Sequence, residues 1–150
     1  MTPKNPRVSL DTSVVIAAVL SPTGGARKLF LLGEAGVLTL VIGPTVVKEC
    51  DEVVRRKVPH SLPMLAQLLM ATSMGTSVAP TKKQIAKAQA LVRYTPDAHV
   101  LAEAINSKPD WFVTHDKEHF LKSRGKFSLP FELGTPGDLL QRFKEDFALL

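Results

Sequence analysis

The sequence predicts an α/β protein with three layers, α/β/α, around a central and mostly parallel sheet. Short apolar runs at residues 7–10, 38–42 and 111–114 read as buried strands. Segments of helical period separate them, and strands alternating with helices imply parallel pairing through crossovers. Acidic residues also stand at the ends of two runs, Asp11 after Val8-Ser9-Leu10 and Asp116 just past Trp111-Phe112-Val113-Thr114. In parallel sheets the crevice beyond the carboxyl ends of the strands is where ligands bind.

Residues 7–10 give a first strand, and Thr12 to Leu20 an apolar helix packed beneath it. Ser21-Pro22-Thr23-Gly24-Gly25 breaks the chain. Ala26 to Ala35 reads as a helix stopped at Gly36. Leu38 to Ile42 is a second strand, and Gly43-Pro44 starts a helix over Thr45 to Lys57. Pro59 and Pro63 interrupt the next segment, Leu65 to Ala71 is helical in character, and Gly75-Thr76 is a turn. Thr81 caps a helix reaching about Tyr94, and Thr95-Pro96 repeats the start signal. Trp111 to Thr114 is a third strand, 117–122 a short helix, 130–133 a fourth strand, and Gly137 to Phe147 a closing amphipathic helix.

At 150 residues, 45% hydrophobic and 22% charged, the chain is expected to form one domain over 1–150 with a core that needs no staples. The single cysteine, Cys50, excludes an internal disulfide and a multi-cysteine zinc site, and it suits a reducing cytosol. Met1 to Arg7 has no apolar signal-peptide core, and the longest apolar run, Val14 to Leu20, is too short to span a bilayer. The expectation is a cytoplasmic protein with no membrane segment. A net charge of +5 suits a polyanionic partner, although solubility alone also selects mildly basic chains.

Helical angles place the remaining acids. On the helix over 45–57, Val46, Val47, Cys50, Val53 and Val54 form one stripe. Glu49 borders it, Glu52 lies opposite, and Asp51 lies on the other border, so the face alone does not single out Glu49. On the helix after Pro96, Asp97 falls within the apolar face of Val100, Leu101, Ala104 and Ile105, while His99 and Glu103 point away. Helix-dipole stabilisation explains an acid in a first turn but not the face it takes. A carboxylate on a core-facing stripe needs a partner. Asp11, Glu49, Asp97 and Asp116 thus form a candidate cluster whose mutual repulsion calls for a cation or shared protons. Such oxygen donors suit Mg²⁺ or Mn²⁺.

These residues carry a resemblance to the PIN-domain family, including the VapC-like toxins of toxin–antitoxin systems. It runs through Val8-Ser9-Leu10-Asp11-Thr12-Ser13, Pro44-Thr45-Val46-Val47-Lys48-Glu49, Asp97-Ala98-His99-Val100-Leu101-Ala102-Glu103-Ala104, Val113-Thr114-His115-Asp116 and Gly134-Thr135-Pro136-Gly137-Asp138-Leu139-Leu140. Each motif is weak alone; their order and settings together are specific. His115 departs from a position often small in relatives, and Tyr94 and Thr95 stand where some relatives have a further carboxylate.

The resemblance implies a metal-dependent ribonuclease hydrolysing RNA phosphodiesters, with Asp11, Glu49, Asp97 and Asp116 as catalytic and metal-binding residues. Ser13 and Thr114 would support the carboxylates, and Glu118 would be an outer acid. Arg27, Lys48 and Lys117 would meet RNA phosphates. It also implies a cognate antitoxin and allows a homodimer. Three other readings compete. A phosphatase with Asp11 as nucleophile would want a second Asp where Ser13 stands. Zinc held by His115 and His119 lacks a surrounding protease pattern. A catalytically inactive PIN-like module binding RNA or protein would not need all four acids.

Overall fold

The structure, a computed structural model, describes residues 4–74, 79–92, 94–116, 119–121 and 129–148. Among the described residues five strands form one parallel sheet in the order β3-β2-β1-β4-β5. They are β1 (Arg7–Leu10), β2 (Thr39–Ile42), β3 (Thr72–Met74), β4 (Trp111–Val113) and β5 (Glu132–Gly134). The flanking helices are α1 (Thr12–Leu20), α2 (Gly25–Glu34), α3 (Pro44–Lys57), α4 (Leu62–Leu69), α5 (Lys82–Leu91), α6 (Thr95–Asn106) and α7 (Pro136–Ala148). The expected three-layer α/β/α fold is therefore present, with its sheet wholly parallel.

Burial explains why the central strands read as continuous apolar runs. Val8, Ser9 and Leu10 of β1, Leu40 to Ile42 of β2 and all of β4 are buried, as strands covered on both faces must be. Phe30, Phe112 and Phe120 are the largest fully buried side chains. Trp111 belongs to this core, with the Arg142 guanidinium 5.5 Å from its ring centroid. Cys50 is buried too, and that burial pushes its thiol up to about 12, so it stays an inert thiol.

Order in the sheet matters more than its size. From β1 the chain builds outward through β2 and β3, then returns to the other side of β1 for β4 and β5. The reversal leaves β1 and β4 as neighbours, paired Val8 to Trp111, Ser9 to Phe112 and Leu10 to Val113. Their carboxyl ends open side by side, and the Asp11 amide extends the ladder by donating to Val113 O at 3.0 Å.

Several boundaries differ from the expectations, each for a local reason. Strand β3 was hidden because it has three residues, Thr-Ser-Met, and lies at the sheet edge, where no buried run is required. Helix α4 starts at Leu62 rather than Leu65, since Pro63 sits in its first turn, where proline lacks nothing a helix needs. Helix α5 ends at Leu91 and keeps its expected cap: Gln84 N donates to Thr81 Oγ1, and Thr81 N donates to Gln84 Oε1. Gly36 takes φ +78° after α2, the left-handed backbone expected of a stop. The strand near residue 130 begins at Glu132. The Gly75-Thr76 turn lies outside the described residues, as do residues 117, 118 and 122 of the short helix expected at 117–122.

Glu103 corrects a clearer error. Expected to point away from the core, it is only 6% exposed. Helix α6 is buried on more than one side, through Ala98, Val100, Leu101, Ala102 and Ala104, so a single stripe misjudges it. The Glu103 carboxylate accepts from the Thr45 backbone amide at 2.9 Å and from Thr45 Oγ1 at 2.5 Å. It thus caps the start of α3 from another helix, with a negative charge at the positive end of the helix dipole. Gly43 borders the same carboxylate, and a Cβ there would lie 2.9 Å from Glu103 Cβ.

Glu103→Ala is expected to cost about 1–3 kcal/mol, because it removes both acceptors of Thr45 at the half-buried start of α3. Gly43→Ala should destabilise through the same contact from the other side. Urea unfolding of both variants measures this, and unchanged midpoints would show that the clamp does not hold α3.

Candidate functional site

The paired ends of β1 and β4 bring the sequence-predicted residues together. Asp11 occupies the residue before α1, a position where aspartate normally caps, yet its side chain makes no capping bond. It is 5% exposed, and its Oδ2 accepts from Thr114 Oγ1 at 2.7 Å and from Ser13 Oγ at 2.8 Å. Two hydroxyls from the ends of neighbouring elements therefore hold one carboxylate oxygen. The hydroxyls are themselves tied down: His115 N donates to Ser13 Oγ at 3.0 Å and Asp116 N to Thr114 Oγ1 at 2.9 Å.

Glu49 reaches the same crevice from α3. Thr12 Oγ1 donates to Glu49 Oε2 at 2.8 Å, so the Asp-Thr-Ser run supplies a carboxylate and hydroxyls directed at two acids. Asp97 enters from the first turn of α6, and Asp116 from the segment after β4. Asp97 is 13% exposed and Asp116 26%.

His119 is the residue that sequence reasoning misplaced. The sequence offered it only beside His115, as a weakly supported i, i+4 zinc pair; His115 is exposed. The His119 ring lies instead between two carboxylates, with Nδ1 2.7 Å from Asp97 Oδ2 and 2.9 Å from Asp116 Oδ2. Its backbone amide also donates to Asp116 Oδ1 at 2.9 Å, and the Tyr94 ring stacks on it with centroids 5.1 Å apart and planes at 20°. The available signal was the i, i+3 spacing from Asp116. One ligand atom from each of Asp97, Asp116 and His119 can be chosen so that all lie within 4.8 Å of one another.

Electrostatics sharpen the picture. Burial raises the Asp11 carboxyl above its ordinary range, against the lowering effect of Thr114, Ser13 and the Thr12 amide; Asp116 adds to the rise. Burial likewise raises Glu49, opposed by the Thr12 hydroxyl and reinforced by Asp11, Glu103 and Glu52. Asp97 is raised to about 6, chiefly by burial; His119 opposes the shift, while Asp11, Asp116 and Glu49 add to it. Asp97 Oδ2 is moreover buried without any hydrogen bond. Its contact with His119 is close but not aligned, because a single Nδ1 proton can serve only one oxygen, and Asp116 Oδ2 is the aligned one.

A crowded set of raised carboxyls with an orphaned buried oxygen fits a divalent cation. The carboxylate oxygens converge where a parallel sheet reverses its winding.

A profile for the PIN domain matches residues 7–118. The chain belongs to the PIN-domain family. The PIN fold is shared with a chain in the crystal structure of VapBC2 from Rickettsia felis bound to a DNA fragment from their promoter. That likeness has a TM-score of 0.59 at 15% identity and covers 85% of this chain and 96% of the other. No curated protein matches the sequence.

The remaining expectations divide. In this PIN domain Lys48 is exposed beside Glu49. Arg27 turns inward: its Nε and Nη2 donate to Ala18 O at 2.8 and 2.5 Å, which caps the end of α1. Glu118 and Lys117 lie outside the described residues. Among the described residues no single helix is long and apolar enough to cross a membrane.

The raised Asp97 sets a pH dependence. Its folded state holds the proton up to about pH 6, while the unfolded chain releases it near 3.8. The stability this group contributes is complete below pH 3.8 and is lost as the pH rises through about 6. In EDTA at pH 7.5, Asp97→Asn should therefore raise the melting temperature, by roughly 2–4 °C. It should also flatten the loss between pH 4 and pH 6, and Mn²⁺ should stabilise the wild type more than the variant. Thermal melts across pH decide, and a variant less stable than wild type without metal would contradict the strain at Asp97.

Proposed function

We propose that this protein is a metal-dependent ribonuclease that hydrolyses phosphodiester bonds of RNA, and that it is the toxin of a toxin–antitoxin pair. The observation that carries the nuclease reading is the convergence of Asp11, Glu49, Asp97 and Asp116 on one crevice, with an Asp97 oxygen buried and unsatisfied. Membership of the PIN family supports it. The antitoxin partner is supported by the fold shared with a chain of a VapBC2 assembly. RNA as substrate rests on the family resemblance and on the basic balance of +5.

Asp97 and Asp116 would hold Mg²⁺ or Mn²⁺, with Asp11 behind them as the most buried charge of the set. When bound, the cation would stabilise charge developing on the phosphate oxygens and ease deprotonation of a water. Glu49 is anchored by Thr12, and burial raises its carboxyl above the ordinary range. It is placed to orient the attacking water and accept its proton. Thr114 and Ser13 keep Asp11 fixed in one rotamer, so their contribution is to geometry. Lys48, exposed beside Glu49, offers charge to the RNA backbone. A homodimer is compatible with this reading, which places the enzyme in the cytoplasm.

Incubation of a mixed RNA and DNA panel with Mg²⁺, Mn²⁺ or EDTA tests the proposal. Cleavage of RNA with either metal, none in EDTA, and a fall of about a thousandfold or more in Asp11→Asn and Asp97→Asn are expected. Thr114→Val should lose roughly tenfold while still folding. RNA binding without cleavage by the folded protein would favour the inactive PIN-like module, and full activity in both Asn variants would sink the assignment.

A further inference from the structure

We propose that His119 is itself a ligand of the divalent cation, so that the site has mixed nitrogen and oxygen donors and favours Mn²⁺ over Mg²⁺. This rests on the reading of the carboxylate crevice as a metal centre. It goes beyond that reading, which needs only oxygen donors.

Three observations carry it. The first is position: Nδ1 is the atom that approaches both Asp97 Oδ2, at 2.7 Å, and Asp116 Oδ2, at 2.9 Å. Adjacent ligands of an octahedral cation with bonds near 2.1 Å stand roughly 3 Å apart, so the three atoms already have the spacing of neighbouring ligands. The second is a shortage of protons. A hydrogen on Nδ1 satisfies one carboxylate oxygen and leaves the other without a bond, and Asp97 Oδ2 is the oxygen left. A cation beside the neutral ring serves all three atoms at once.

The third is restraint of the ring. The His119 amide is held by Asp116 Oδ1, and Tyr94 stacks on one face of the imidazole. Tyr94 stands where some relatives have a further carboxylate, and it is 54% exposed. A large aromatic left that exposed beside a charged crevice has a reason to stay if it holds the ring plane. Tyr94 is thus a positioning residue, acting through His119.

The consequence is metal choice. Mg²⁺ prefers oxygen and keeps its waters, whereas imidazole ligation strengthens along the transition series that begins at Mn²⁺. A nitrogen donor therefore separates two ions that an all-carboxylate site treats alike.

The test is pulsed EPR of Mn²⁺ bound to the full chain, combined with Mn²⁺ and Mg²⁺ titrations. Wild type and His115→Ala should show ¹⁴N modulation from a directly bound imidazole, and His119→Ala should lose it. His119→Ala should weaken Mn²⁺ about tenfold or more but Mg²⁺ by less than about threefold. Tyr94→Ala should keep the nitrogen signal and weaken Mn²⁺ by a smaller factor. Should His119→Ala fail to fold, His119→Gln takes its place and should lose the same nitrogen signal. Tight Mn²⁺ binding with no nitrogen coupling overturns the inference and leaves the nuclease reading standing. Absence of Mn²⁺ binding overturns both.

Discussion

Repulsion among carboxylates crowded at the ends of β1 and β4 is the constraint around which the rest of the structure is arranged. Asp11 is 5% exposed, and its neighbours Asp97 and Asp116 are mostly covered. In a folding chain such a cluster is a liability: burial and like charge both raise the carboxyls of Asp11, Glu49 and Asp97. The polar surroundings lessen the cost without removing it. Thr12, Ser13 and Thr114 each donate to a carboxylate, and His119 adds its ring. One oxygen of Asp97 is nonetheless left without a hydrogen bond. Strain of this kind is kept where function uses it.

Helix α6 shows the contrast within one element. Its two acids lie six residues apart and are both largely covered, yet their situations are opposite. Glu103 has two donors from Thr45 and sits at the start of α3, where a negative charge is welcome. It is fully used in holding helices together. Asp97 has a close imidazole and an unsatisfied oxygen. Burial of a carboxylate alone does not mark a functional residue; burial without satisfaction does.

Much of this was legible in the sequence because it depends on short-range pattern. Strands β1, β2 and β4 are covered on both faces, and that burial writes itself as apolar runs. The two acids just beyond those runs could be placed without any structure, since a parallel sheet puts strand ends on one side. The face taken by Asp97 followed from helical angle, whereas angle left Glu49 and Asp51 on the two borders of one stripe and the family resemblance favoured Glu49. Failures occurred where long-range contacts decide. Glu103 was assigned to solvent because its partner Thr45 lies 58 residues away. Edge strand β3 carries too little burial to leave a pattern. His119 meets Asp97 of α6, a contact distant in sequence that spacing alone does not reveal.

The central claim is that the crevice exists to be neutralised by a divalent cation, and proton release on Mn²⁺ binding tests it most directly. Calorimetric titrations at pH 5.5 in buffers of different ionisation enthalpy count the protons expelled. With Asp97 raised to about 6, the account predicts that Mn²⁺ displaces a substantial fraction of a proton there, and that this release fades by pH 8 and in Asp97→Asn. Mn²⁺ binding with no proton release at pH 5.5, or the same release in Asp97→Asn, would contradict it.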